Sequence, residues 1–224
     1  MTALEISSNA ATVNLLNQIG MSESYNYATN KFKLAHLDPD QDSKNIVAMS
    51  MGGVHGGTTV REMTASYIPF CNGGTYYEPY TYYYVTDQDN NIILDQRDKR
   101  VSSRAISEET AAIMNRLLHQ VVSDKEGIGY RAAVTGWDII GKTGTTDNTY
   151  DNWFVGASPY AVAGIWQGHD IPASINQEEE GKNHILWSEI MTEYLKTKEH
   201  KDFSIPDTAV SYTHLRAHET GRNL

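Results

Sequence analysis

Apolar residues recur along this chain at two spacings, three to four residues in some stretches and two in others, with glycines and prolines between the runs. After Asn9, the residues Val13, Leu16 and Ile19 keep helical intervals until Gly20 stops them, so Asn9 is read as a helix N-cap. Ser22 is read as the cap of a second short helix reaching Lys31. Residues 52–57, GGVHGG, hold too much glycine for the interior of a helix or strand and predict a loop. Thr59 and Glu62 have capping-box spacing, Met63, Tyr67 and Phe70 share one apolar face, and Asn72-Gly73-Gly74 ends the run. The tyrosine-rich segment from Thr75 alternates weakly, breaks at residues 87–91 (DQDNN) and resumes as IILD, which predicts a hairpin. Ser107, followed by Glu108 and Glu109, opens a longer helix with Ile113, Leu117, Leu118 and Val121 expected on its buried face.

Three short apolar, β-rich stretches come next, WDIIGKTG, NWFVGAS and YAVAGIWQG, separated by loops short enough for antiparallel neighbours. A final helix is expected from about Ile185 to Lys196, after the acidic loop QEEEGKN. The order of elements predicts an α+β fold, an antiparallel β-sheet flanked by helices. No repeat or linker divides the first two hundred residues, and residues 1–209 are read as one piece of domain. Residues 210–224 differ: after Val210, SYTHLRAHETGRNL has no amphipathic period and resembles translated adapter sequence, so the stretch is set aside as a non-native tail.

Composition narrows the function classes. With 224 residues, 40% hydrophobic, 10% aromatic and a formal charge of −10, the chain reads as a folded acidic domain. That charge argues against nucleic acid or anionic lipid as the main partner, since both need clustered Lys and Arg. No stretch approaches the roughly 20 apolar residues that span a bilayer, and no signal peptide is read at the N-terminus. Cys71, the single cysteine, excludes an internal disulfide and is read as a small buried hydrophobe. The eight histidines form no HExxH or Cys/His cluster, and the close pair His214 and His218 lies in the suspect tail. Neither a metal nor a cofactor is expected.

Candidate chemistry sits in GKTGTT, residues 141–146, directly after the apolar WDII. A strand bearing Lys142, Thr143, Gly144 and Thr145 offers an ammonium, two hydroxyls and a backbone N–H, and the glycine lets another backbone approach the edge. Such a surface suits an extended peptide ending in a carboxylate. Alone, a KTG triplet is weak and equally describes a solvated strand end. A second feature lies 133 positions earlier: Ser7-Ser8-Asn9, an S-x-N at a helix start, which by itself is no more than capping. Together, S-x-N and K-T-G are two of the three motifs of serine-acylating penicillin-binding proteins and β-lactamases.

The segments MTALEISSNAATVNLLNQIG, GGVHGGTTVREMTASYIPFCNGGTYYEP and GKTGTTDNTYDNWFVGASPYAVAGIWQGHD resemble successive parts of the transpeptidase domain of a class A penicillin-binding protein, over most of residues 3–205. The resemblance implies that Ser7 relays a proton to the leaving amine and Asn9 holds the donor peptide's amide. It implies further that Lys142 keeps the site electropositive, Thr143 and Thr145 bind the terminal carboxylate beside Gly144, and the Thr145 N–H forms half of an oxyanion hole. Trp153, Phe154 and Trp166 are read as packing. The implied partners are peptidoglycan stem peptides ending in D-Ala-D-Ala, and β-lactam antibiotics. A parent of this family carries a membrane anchor and a glycosyltransferase region and works at the extracytoplasmic face of the bacterial cell membrane.

One motif of the family is missing: no serine in these 224 residues is followed three positions later by lysine. The expectation is a fragment lying downstream of the S-x-x-K nucleophile, inactive in acylation by itself. A D,D-carboxypeptidase or β-lactamase-like hydrolase is the nearest alternative, although no E-x-x-L-N stands between S-x-N and KTG, and S-S-N stands where a lactamase has S-D-N. A non-catalytic penicillin-sensing module is the alternative from another class.

Overall fold

The computed structural model describes residues 2–176 and 181–207. α1 (Thr2–Glu5) is a single turn, and α2 (Asn9–Ile19) follows it. The cap of α2 is Ser8, not Asn9: Ser8 is extended and its Oγ accepts the Ala11 N–H at 3.4 Å, so Asn9 is already helical. Where two capping residues stand in tandem, the turn made at Ser7 gives the role to the first. Gly20 ends α2 with φ 94, and α3 (Met21–Asn26) starts at once, running on through a π-helical turn at Tyr27–Lys31. Gly20 itself stands at the N-cap of α3 with no side chain to offer, and Ser22 lies inside the helix rather than capping it.

α4 (Ile46–Met51), capped by Asn45 and closed by left-handed Gly52, has no counterpart in the sequence reading, since six residues with none buried display no period. The glycine-rich loop at 52–57 follows as expected, and then α5 (Val60–Cys71), where Thr59 Oγ1 accepts the Glu62 N–H at 3.1 Å. The Glu62 carboxylate answers the Thr59 backbone N–H, as the box requires, and also reaches His36 Nδ1 at 2.7 Å and the Thr58 hydroxyl at 3.3 Å. Its most buried residues are Ala65, Ser66 and Pro69, while Tyr67 and Phe70 pack half-buried against the core.

β1 (Thr75–Tyr77), β2 (Tyr84–Thr86), β3 (Ile92–Asp95) and β4 (Ser102–Arg104) make two antiparallel ribbons, β1 with β4 and the expected hairpin of β2 with β3. The hairpin turns on Asp87, whose carboxylate accepts the N–H groups of Asp89 and Asn91, both at 2.9 Å. α6 (Glu108–Ser123) is capped by Ser107 and buries Ala111, Leu118, Val121 and Val122. Ile113 is not on that face; it is 38% exposed, because two residues past Ala111 is a rotation of about 200°.

β5 (Ile140–Thr145), β6 (Asp151–Ala157) and β7 (Val162–Gly168) form the main sheet in the order β5-β6-β7, and α7 (Lys182–Leu195) closes the described fold. β5 starts three residues after Trp137, whose N–H is spent in a turn on the Val134 carbonyl. Lys142 lies opposite Val155, Thr143 opposite Phe154 and Thr145 opposite Asn152; β7 continues these rows with Gly164, Ile165 and Gln167.

Alternation along the strands sorts the two faces. Ile140, Ala157 and Val162 meet Leu118 and Met114 of α6 and Tyr67 and Phe70 of α5. Gly164 admits α5 to that face, since a Cβ there would lie 2.2 Å from Thr64 Oγ1. On the other face Phe154 packs edge-on to Trp187 of α7 at 5.3 Å, within a cluster that includes Val122, Ile139, Met191 and Leu195. Both faces of the main sheet are thus covered by helices, as the α+β reading requires. Residues 210–224, read as a tail, lie outside the described residues. Among the described residues no helix is long and apolar enough to cross a membrane.

Candidate active site

Ser7 sits where α1 gives way to α2. Its N–H bonds the Leu4 carbonyl at 3.2 Å, the Ser8 N–H bonds Ala3 at 2.8 Å, and Ser7 itself takes the left-handed φ of 55°. A non-glycine residue in that region is uncommon, and here the turn directs the hydroxyl toward β5. Lys142 Nζ donates to Ser7 Oγ at 2.8 Å across 135 positions of sequence. The same ammonium donates to the Thr143 carbonyl at 3.0 Å and reaches Thr143 Oγ1 at 3.5 Å. Burial pushes the Lys142 pKa down to about 8. No carboxylate among the described residues pairs with it. The result is a cation poised near neutral pH, bonded to a serine, on a strand whose only partner among the described residues is β6.

The sequence-derived residues divide accordingly. Ser7, Lys142 and Thr143 are joined by hydrogen bonds. Asn9 stands exposed in the first turn of α2, two residues beyond Ser7, and no hydrogen bond ties its amide to Lys142. Thr145 is exposed at the end of β5, on the same face of the strand as Thr143. Gly144 lies between them; a Cβ there would come 3.3 Å from Trp153 Cβ.

Two groups escaped the sequence reading. Asp151, first residue of β6, takes Trp166 Nε1–H on one carboxylate oxygen at 2.8 Å and the Thr146 hydroxyl on the other at 3.0 Å. Trp166, read as packing, is therefore also a donor. A Thr-x-x-x-x-Asp spacing across a loop was the only sequence signal, and it becomes meaningful only once the strands pair. The second group is His184 of α7, whose ring lies 5.3 Å from that of Phe154. Burial, with the positive charges of Arg131 and Lys142, pushes its pKa down to about 4, so it is neutral at pH 7.

The chain has known relatives. The family model of the penicillin binding protein transpeptidase domain matches residues 1–184. Penicillin-binding protein 1A of Clostridium acetobutylicum is 35% identical over 192 residues, covering 85% of this chain and 22% of that protein. Penicillin-binding protein 1A of Clostridium botulinum (strain Langeland) is 31% identical over 209 residues, covering 93% of this chain and 24% of that protein. Among solved structures, penicillin-binding protein 1A from Haemophilus influenzae superposes with a TM-score of 0.72 at 19% identity, covering 92% of this chain and 35% of that one. The D,D-transpeptidase domain of a peptidoglycan glycosyltransferase from Eggerthella lenta gives 0.69 at 22% identity, covering 88% of this chain and 53% of that one. The structural likenesses show a shared fold. The chain belongs to the penicillin-binding protein transpeptidase domain family. It spans about a quarter of the length of the curated relatives it matches.

Proposed function

We propose that this chain is part of a peptidoglycan D,D-transpeptidase, working at the extracytoplasmic face of a bacterial cell membrane and trapped by β-lactams at the acyl stage. Such an enzyme transfers the penultimate D-alanine carbonyl of one stem peptide first to a serine and then to an amine of a neighbouring strand, releasing the terminal D-alanine. The contact between Lys142 Nζ and Ser7 Oγ carries this reading, because it joins the two motifs on which the chemistry depends. In it Ser7 relays a proton to the leaving amine, and Lys142, donating to Ser7, keeps the site electropositive and assists that relay. Asn9 holds the donor peptide's amide, while Thr143 and Thr145 grip the terminal carboxylate beside Gly144. The Thr145 N–H faces the oxyanion, where a fixed donor is worth most. The acylated serine is not supplied by an S-x-x-K within these 224 residues.

Binding tests the site separately from acylation. Titration with an N-acylated peptide ending in D-alanyl-D-alanine is expected to shift the backbone NMR signals of residues 142–145. Lys142→Ala should weaken that binding by roughly tenfold or more, the worth of one charge-assisted hydrogen bond. Fluorescent penicillin should leave the chain unlabelled. A peptide that shifts no signal in β5, or a chain that takes the label by itself, would overturn the assignment.

A further inference from the structure

The turn joining β5 to β6 is held in a costly conformation immediately beside Thr145. Asn148 and Thr149 both have positive φ, 59° and 54°, which is unfavourable for a β-branched threonine in particular. Such a backbone persists only where its surroundings over-determine it. Here they do. Thr146 is fastened at three points to Asp151: its N–H bonds the Asp151 carbonyl at 3.1 Å, its Oγ1 accepts the Asp151 N–H at 2.9 Å, and its hydroxyl donates to Asp151 Oδ2 at 3.0 Å. The Thr146 carbonyl accepts the Thr149 N–H at 3.0 Å. From outside, Ser174 Oγ donates to the Asn148 carbonyl at 2.8 Å and the Ile175 N–H to the Thr149 carbonyl at 3.0 Å.

Asp151 is in turn anchored two strands from Thr145, by the Trp166 indole N–H of β7 at 2.8 Å. The ring of Trp166 lies over Gly168, where a Cβ would come 2.3 Å from it. A continuous line of hydrogen bonds therefore runs across the end of the sheet from Trp166 through Asp151 to Thr146, and ends one peptide unit after Thr145.

We infer that Asp151 is a positioning residue for Thr145: bridged to Trp166, it fixes the Thr146 peptide and so sets the direction in which the Thr145 hydroxyl and N–H face the substrate's terminal carboxylate and developing oxyanion. The inference rests on the carboxylate-binding reading of β5. A strand end that, like that of β5 among the described residues, is paired on one side alone frays, and a group whose value lies in its direction loses it first. The anchored carboxylate prevents this without touching the substrate.

The test compares two ligands on the 224-residue chain, an N-acylated D-alanyl-D-alanine peptide and the same peptide amidated at its C-terminus, with affinities read by NMR titration. Trp166→Phe keeps an aromatic ring but removes the donor; Thr146→Ala, at an exposed position, removes the connector without threatening the fold. Each is expected to lower the acid-to-amide affinity ratio at least about threefold, and Thr146→Ser to restore it. A merely structural role would leave the ratio alone and move only the thermal midpoint, and an unchanged ratio in folded Thr146→Ala overturns the inference. A wild-type chain with no preference for the acid would overturn the reading of β5 and the inference with it.

Discussion

Lys142 works between two demands. In the proposed role its ammonium must be charged to attract a carboxylate, yet burial drives its pKa from 10.5 down to about 8. The sign of the consequence is fixed. Above pH 8 the folded chain gives up this proton, so peptide affinity should fall through that pH, and in Lys142→Met the profile should be flat. Folding stability moves the other way. Between pH 8 and 10.5 the unfolded chain holds the proton and the folded chain does not, so this residue's unfavourable contribution fades as pH rises. Denaturant midpoints of wild type minus Lys142→Met should therefore climb across that window; a flat difference would mean the ammonium is solvated like any surface lysine. Ser7 has a cost of its own in its left-handed φ. Ser7→Gly and Ser7→Ala both lose the bond from Lys142, but only glycine relaxes the backbone, so Ser7→Gly should be more stable than Ser7→Ala by about 1 kcal/mol in urea unfolding. Equal stabilities would show that the turn stores no strain.

At the scale of elements, β5 reaches its site because Gly141 lets Phe154 lie over it. A Cβ at Gly141 would stand 2.4 Å from Phe154 Cζ, and Phe154 is itself wedged against Trp187 and His184. With no room to yield, Gly141→Ala should destabilise the chain by about 1–3 kcal/mol and tilt α7 away from the sheet, read as a lower thermal midpoint with changed tryptophan fluorescence. His184 adds a pH signature to the same contact. Its folded pKa near 4 lies below the ordinary 6.5, so stability should decline as pH falls from 6.5 toward 4, and His184→Phe should flatten that slope. The main elements were legible because local rules decide them: Thr59 and Ser107 do cap α5 and α6, and the three β-rich runs do pair as neighbours. What stayed hidden depends on distant partners. β1 and β4 are three residues each and acquire meaning only from one another, and α4 is too short to show a period. In the candidate site, the motifs named Ser7 and Lys142, but their bond, the lowered pKa of Lys142 and the line through Asp151 exist only once α1 and the sheet have met.

Across the whole molecule, burial is unevenly shared, and stability must be too. Ile140, Phe154 and Ala157 of the main sheet have no exposed surface, and helices cover both faces around them. The ribbon of β2 and β3 has no such cover. Tyr84, Ile92 and Leu94 are each half exposed and Ile93 more so, and among the described residues each strand has the other as its only partner. What steadies the ribbon is polar and local: the Asp87 turn, the ion pair of Asp95 with Arg97, and the Arg97 guanidinium 4.6 Å above the Tyr84 ring. Exposed pairs of that kind contribute little each, and an isolated two-stranded ribbon is marginal in water. The ribbon should therefore open many times before the sheet does. Native-state hydrogen exchange gives the measure. Amides of β2 and β3 should exchange at least about a hundredfold faster than those paired between β5 and β6, with little dependence on denaturant, because their opening exposes little new surface. Denaturant should accelerate the β5–β6 amides steeply, since they exchange only when both helical layers come away. Equal protection in ribbon and sheet would mean that the two unfold as one unit and that the exposed tyrosines and isoleucines are held by more than the local contacts.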